Sequence, residues 1–237
     1  MNHNKLIQPL IFDHLVIVVT DLEKNIEILK SKGFCVTLGG INGPTKNALV
    51  LFQDGVYIEL IAARSRLIRL FFRILYLSGI LKILEVLKRS VMHRFFFWFG
   101  KKDGICDICV SVNKLDLLYE YAQKHNLSVT PKKKFIRQTP EMLNAEWLLM
   151  GFTDRNLPFF IEDVSERSIR APFRNNSDHK NKIRSIQTIS FKKKEPIFNG
   201  NKLFKENKEQ KSRIYFTLDN PDIDLMKILS LNDKFYL

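Results

Sequence analysis

Residues 12–19 are apolar at every position except Asp13 and His14, the pattern of a strand covered on both faces. Asp21 then caps a predicted helix whose apolar face is Leu22, Ile26 and Leu29, with Lys30 and Lys32 near its end and Gly33 as its stop. Residues 35–38 read as a strand, and Gly39-Gly40 with Asn42-Gly43-Pro44 as a flexible connection. Two further strands, 47–52 and 56–62, join through Asp54-Gly55. The order is βαβββ. It returns further along: a strand at 105–112, a helix at 115–125 with Leu118, Tyr121 and Ala122 inward, and a strand beginning at 127–130. A strand at 145–152, a turn at 153–156 and a strand at 158–164 complete the second set.

The two sets stand at a constant spacing. His14 and Asp107 are 93 residues apart, as are Val36-Thr37 and Val129-Thr130; Glu59 matches Glu162 once ten extra residues are allowed for. A repeat of this size means a duplicated supersecondary unit. The chain therefore divides into modules at 11–64 and 104–164, an intervening segment at 65–103 and an extension at 165–237.

The intervening segment differs in composition from the rest. Residues 67–99 are rich in Leu, Ile and Phe, and their charges are Arg69, Arg73, Lys82, Lys88, Arg89 and Arg94 against the single acid Glu85. Arg66, Arg69 and Arg73 share a helical face, and Ser78-Gly79 breaks the pattern, so two short amphipathic helices are predicted. No stretch reaches the ~18 uncharged residues of a membrane span. Such a surface packs on the protein's own body, forms a homodimer contact or lies on an anionic membrane. In the extension, 165–182 reads as a polar linker, and 183–191 and 213–218 as strands, either a partial third module or a packing element.

Composition narrows the class. The chain has 237 residues, 45% hydrophobic, and reads as a globular protein with enough length for a sizeable core. Its three cysteines cannot form a disulfide framework, and Cys106 and Cys109 form a CxxC inside a strand pattern, which reads as buried small side chains rather than a zinc or redox site. The formal charge of +13 admits an anionic partner, yet the lysine runs at 132–134 and 192–194 are short and accompany no nucleic-acid motif, so nucleic acid is not expected. The first ten residues lack the apolar core of a signal peptide, which points to a reducing cytoplasm, with attachment to the membrane periphery if 67–99 uses a bilayer.

The segments 12–16, 45–49 and 57–61 (FDHLV, TKNAL, YIELI) resemble the first, third and fourth strands of the glyoxalase-like domain family of the vicinal oxygen chelate superfamily. The segments 147–149 and 157–162 resemble their equivalents in a second module, and Asp178-His179 a junction into the last segment. The resemblance implies two βαβββ modules whose strands form a curved sheet around a funnel. It also implies one divalent metal, Mn, Fe, Zn or Mg, held from the first and fourth strands of each module and binding vicinal oxygens of a small substrate. Carried over by position, the ligands are His14, Glu59, Asp107 and Glu162; the third is commonly His in the superfamily and is Asp here.

The residues themselves support part of this. Period-two alternation puts His14 with Val16 and Val18 on one strand face, and Glu59 with Tyr57 and Ile61 on another. A carboxylate among apolar neighbours needs a cation or a basic partner, and this chain supplies many of the latter. His14 could equally be a strand-start histidine bonded to Asp13. Asn47 and Trp147 are candidates for contacts to substrate, and Glu59 and Glu162 for a catalytic base. His179, in a polar stretch, is expected at the surface. Two readings result: a metal-dependent lyase, isomerase or dioxygenase, or a non-catalytic binding protein using the same funnel.

Overall fold

The computed structural model describes residues 10–155, 157–173, 176–191, 195–199, 214–220 and 222–229. The first module is β1 (Ile11–Val18), α1 (Leu22–Ser31), β2 (Thr37–Asn42), β3 (Thr45–Leu51) and β4 (Tyr57–Ala63). Three helices follow: α2 (Arg66–Leu77), α3 (Ile80–Leu87) and α4 (Met92–Gly100). The second module is β5 (Gly104–Ser111), α5 (Leu115–Lys124), β6 (Lys133–Gln138), β7 (Asn144–Gly151) and β8 (Phe159–Asp163). After it come α6 (Arg167–Arg170), β9 (Ile186–Phe191), β10 (Glu195–Asn199), β11 (Ile214–Leu218) and α7 (Leu225–Ile228).

Eight strands form one sheet in the order β2-β3-β4-β1-β5-β8-β7-β6. The fold is thus α+β, with two βαβββ modules meeting along β1 and β5. Their antiparallel register carries the duplication. His14 pairs with Cys109 and Val16 with Asp107, so moving 93 residues along one strand and back along the other regenerates the same pairs. A pseudo-twofold axis therefore passes between Leu15 and Ile108, which face each other. Within each module the first strand lies parallel to the fourth, β1 to β4 and β5 to β8.

The sheet curls until its two edges approach. Gly40, at φ +110°, is the point of approach: a Cβ there would lie 3.2 Å from the Gln138 carbonyl on β6. Gly39 leaves room for a different neighbour, since its Cβ would fall 2.3 Å from Asn47 Oδ1. These glycines are not a flexible connection but the inner part of β2, paired with β3 across the turn at Gly43. The second strand of the second module also begins later than its sequence suggests. Residue 129 makes only a lone bridge to Phe152, and the strand proper is Lys133–Gln138.

On the convex side, Leu15 and Ile17 of β1, with Leu22, Ile26 and Leu29 of α1, form the core of the first module. Ile183, Ile186, Ile189 and Leu218 join that same core, so the three-stranded β10-β9-β11 sheet is a packing extension. The segment read as a polar linker contains α6 and buries Arg170 and His179, which are 4% and 1% exposed. The concave side is closed by α4, which buries Phe97, Trp98 and Phe99, while α2 stacks on α4 through Phe72 and Phe96 at 5.0 Å. Among the described residues no helix is long and apolar enough to cross a membrane.

Candidate functional site

The concave face holds a cavity of about 140 Å³, close to the roughly 150 Å³ that suffices for benzene. Its walls are aromatic, including Phe72, Phe96, Phe99, Phe135, Trp147 and Phe159; its polar groups are few. His14, Asn47, Tyr57, Glu59, Arg137 and Arg170 line it from five elements, β1, β3, β4, β6 and α6, the composition of a small-molecule site.

His14 leaves β1 beside an irregularity in the β1–β5 register between residues 12 and 14. A bulge breaks strict alternation, and it lets consecutive side chains work together. Asp13 is fully buried, and its Oδ1 lies 2.6 Å from His14 Nδ1. The imidazole stacks on Tyr57 at 4.5 Å, fixing its plane. Nδ1 thus donates to Asp13, and Nε2 is turned to Glu59 Oε2, 3.4 Å away. Asn47 Nδ2 donates to the other Glu59 oxygen, Oε1, at 2.5 Å. The bond from His14 to Asp13 and the contact from His14 to Glu59 coexist on the two ring nitrogens.

The charge on Asp13 is held by arginines. Arg170 donates from Nη1 and Nη2 to the two Asp13 oxygens at 3.1 Å each, and Arg167 Nη2 lies 2.9 Å from Oδ2. Arg170 also donates to Asp163 and to the Tyr57 hydroxyl. Burial alone would raise the Asp13 carboxyl; Arg170, the His14 hydrogen bond and Arg167 outweigh it and hold the carboxyl well below its ordinary range. Burial pushes the Tyr57 phenol well up, so it stays protonated. Arg137 differs from Arg170. It makes no ion pair among the described residues, and its Nε is buried without a partner there. Its Nη1 lies 3.4 Å from Asn47 Oδ1, and its guanidinium sits 5.6 Å from the Trp147 ring centre.

The four predicted metal ligands do not converge. His14 and Glu59 meet, but Asp107 is taken by Arg94, whose Nε and Nη2 donate to Oδ2 and Oδ1 at 2.8 Å each. Trp98 Nε1 and the Ile108 amide also donate to Asp107, at 3.1 and 2.9 Å. Glu162 points to the other face of the sheet, where its Oε2 accepts from the Leu115 amide at the start of α5, 2.7 Å away. The strand registers explain the error. Val16 pairs with Glu59, and Cys109, 93 residues after Val16, pairs with Phe159. The true counterpart of Glu59 is therefore Phe159, three positions before Glu162, and an odd shift reverses the face. Asn47 and Trp147 do line the cavity with His14 and Glu59.

A second set of donors, Asp13, His14 and Cys109, is buried with its atoms within 4.8 Å of one another. Its chemistry does not suit a resident dication. Both Asp13 oxygens already accept from guanidinium groups, and burial holds the Cys109 thiol well above its usual range, away from the ligating thiolate. That leaves His14 and Glu59 as two donors, where catalytic zinc sites take about three from the protein. The residues present do not make the expected four-donor site.

Asp13, Arg137 and Arg170 were the residues that sequence reasoning missed. The FDH sequence at 12–14 carried a signal for Asp13, an ionisable pair inside an apolar strand. Arg137 gave none, because its strand exposes Ile136 and buries Arg137.

Two βαβββ modules about a pseudo-twofold axis, with the polar cluster on the concave face, define the vicinal oxygen chelate fold. The chain belongs to the glyoxalase-like domain family, whose sequence profile matches residues 12–200. Among solved structures it is similar to a hypothetical protein from Staphylococcus aureus, at 19% identity over 76% of this chain and 68% of that one, with a TM-score of 0.58. It is more distantly similar to methylmalonyl-CoA epimerase from Mycobacterium tuberculosis, at 18% identity over 71% and 96% of the two chains, TM-score 0.42. A variant of the Streptomyces coelicolor methylmalonyl-CoA epimerase, in complex with 2-nitronate-propionyl-CoA, matches at 15% identity over 67% and 100%, TM-score 0.40. The likeness to the Staphylococcus aureus protein, at this identity, is a likeness of fold alone. No curated protein sequence matches the chain significantly.

Proposed function

We propose that this protein is a small-molecule enzyme of the proton-transfer kind, an isomerase or lyase acting on a compact substrate with adjacent oxygens. The observation that carries the reading is the pairing of His14 Nε2 with Glu59 Oε2 at 3.4 Å on the cavity wall, with Asp13 on the far ring nitrogen. Asp13 retains the Nδ1 proton, so only Nε2 exchanges protons with the cavity. Glu59, as a carboxylate, removes a proton from the carbon next to a substrate carbonyl. The C–H electron pair moves onto the carbonyl oxygen as an enolate. Protonated His14 Nε2 and Arg137, whose Nε is buried without a hydrogen-bond partner among the described residues, stabilise that oxygen. Return of the proton to the neighbouring oxygen-bearing carbon yields an isomer; expulsion of a β-leaving group yields the lyase product. Arg137 makes an anionic substrate the better fit, and the aromatic walls favour a largely apolar one. The metal-dependent reading, dioxygenase chemistry included, would need donors beyond His14 and Glu59.

The test is solvent deuterium exchange at carbon, followed by proton NMR on small 2-oxo and 2-hydroxy acids that raise the melting temperature. Glu59→Gln is expected to slow exchange by roughly 10²–10⁴-fold while binding persists. Glu162→Ala, on the opposite sheet face, should leave both unchanged. Binding without exchange in the native protein would assign the funnel to a binding protein. One equivalent of metal in native protein, lost in Glu59→Gln, would restore the metal reading.

A further inference from the structure

Of the 19 large hydrophobic side chains exposed among the described residues, ten fall within residues 66–87. On α2 they are Leu67, Leu70, Phe71, Ile74 and Leu77, spaced as one helical stripe. On α3 the stripe comprises Ile80, Ile83, Leu84 and Leu87. These are not marginal exposures: Leu67 is 78% exposed and Leu87 76%. The inward sides of the same helices are well seated, through Phe72 on α2 and Leu81 on α3. The helix pair therefore has two apolar sides, one satisfied by the protein and one by nothing described in the chain. Contiguous apolar surface of this kind marks an interaction site.

The charges beside the stripe choose the partner. Arg66, Arg73, Lys82 and Lys88 are exposed, and none has an ion-pair partner among the described residues. The one acid between residues 66 and 100, Glu85, is paired with Arg155 at 3.3 Å. A twofold contact between two copies would lay this patch against itself and bring cation against cation. An anionic bilayer accepts both features at once, with the stripe among the acyl chains and the cations at the phosphates. We infer that α2 and α3 form an interfacial anchor that seats this protein on an anionic phospholipid surface. The anchor stands on surface observations alone and holds whether or not the cavity is catalytic.

Co-sedimentation with extruded vesicles tests this, comparing pure phosphatidylcholine with a mixture containing one-third phosphatidylglycerol. The full chain should bind the anionic vesicles and release as salt rises, and bind the neutral ones weakly. In the variant Arg73→Ala/Lys82→Ala/Lys88→Ala, partitioning should fall about fivefold per cation removed. Leu70→Ser/Ile74→Ser/Leu77→Ser should abolish binding, with an unchanged circular dichroism spectrum because these positions are exposed. No binding to either vesicle overturns the inference, as does equal binding of native and charge-depleted protein. A dimer in light scattering that the serine variant splits would also overturn it, assigning the surface to a second copy.

Discussion

Arg94 should be among the most sensitive positions in the molecule, though nothing in its sequence neighbourhood marks it. Its side chain is 2% exposed and makes a two-point ion pair with Asp107. It also donates to the carbonyls of Phe152, Asp154, Arg155 and Leu157, so one guanidinium ties the insertion to β5 and to the turn before β8. Arg94→Met nearly keeps the volume but leaves Asp107, among the described residues, with two donors, Trp98 Nε1 and the Ile108 amide. Breaking a buried pair on one side costs about 3–5 kcal/mol, and in a chain of this length each kcal/mol lowers the melting point by about 2–4 °C. A loss of roughly 6–20 °C follows from those two ranges. Asp107→Asn should lose less, and the double variant Arg94→Met/Asp107→Asn should cost less than the sum of its parts by about 0.5–3 kcal/mol. Urea unfolding of the four proteins, read by tryptophan fluorescence, measures the cycle. A single Arg94 variant within about 1 kcal/mol of native would refute the assignment of Asp107 to Arg94. So would loss of a bound metal on Asp107→Asn with stability untouched.

Asp13 gives a pH prediction. Its folded carboxyl is held well below the ordinary range, so its contribution is present above the unfolded value of about 3.9 and is lost as pH falls through the folded one. Native protein should therefore lose stability below about pH 4, and Asp13→Asn should be less stable at neutral pH with a flatter acid limb; identical acid limbs would contradict it. Gly39→Ala places a Cβ where Asn47 Oδ1 now lies, 2.3 Å away. Displacing Asn47 from Glu59 should weaken ligand binding about tenfold, the loss of roughly one net hydrogen bond, and titration calorimetry showing unchanged affinity would refute it.

Helices α1 and α5 and most strands were legible because burial and period coincide in them: Leu22, Ile26 and Leu29 of α1 recur at helical spacing and are all buried, whereas the insertion holds three helices where two were predicted. Where the two conflict, the reading failed. The second strand of the second module buries Arg137 and exposes Ile136, an inverted pattern that a sequence scan assigns to surface. Residues 165–182 looked like linker because Arg170 and His179 are polar. Yet Arg170 is buried against the carboxylates of Asp13 and Asp163, and His179 accepts a hydrogen bond from the Cys35 amide at Nδ1.

The duplication and the order of elements in each module were determined by the sequence alone, since both depend on local periodicity and on spacing, whereas the nearness of His14 to Glu59 was implied only by the family resemblance. Which carboxylates share a site was decided only by the tertiary structure. Glu59 and Glu162 look equivalent in sequence, but the pairing of Cys109 with Phe159 places Glu162 an odd number of residues out of step. A sheet has two faces and a period of two, so three residues separate a cavity from the start of a helix on the other side. The fate of Asp107 was likewise decided in three dimensions, by an arginine from a helical insertion that belongs to neither repeat.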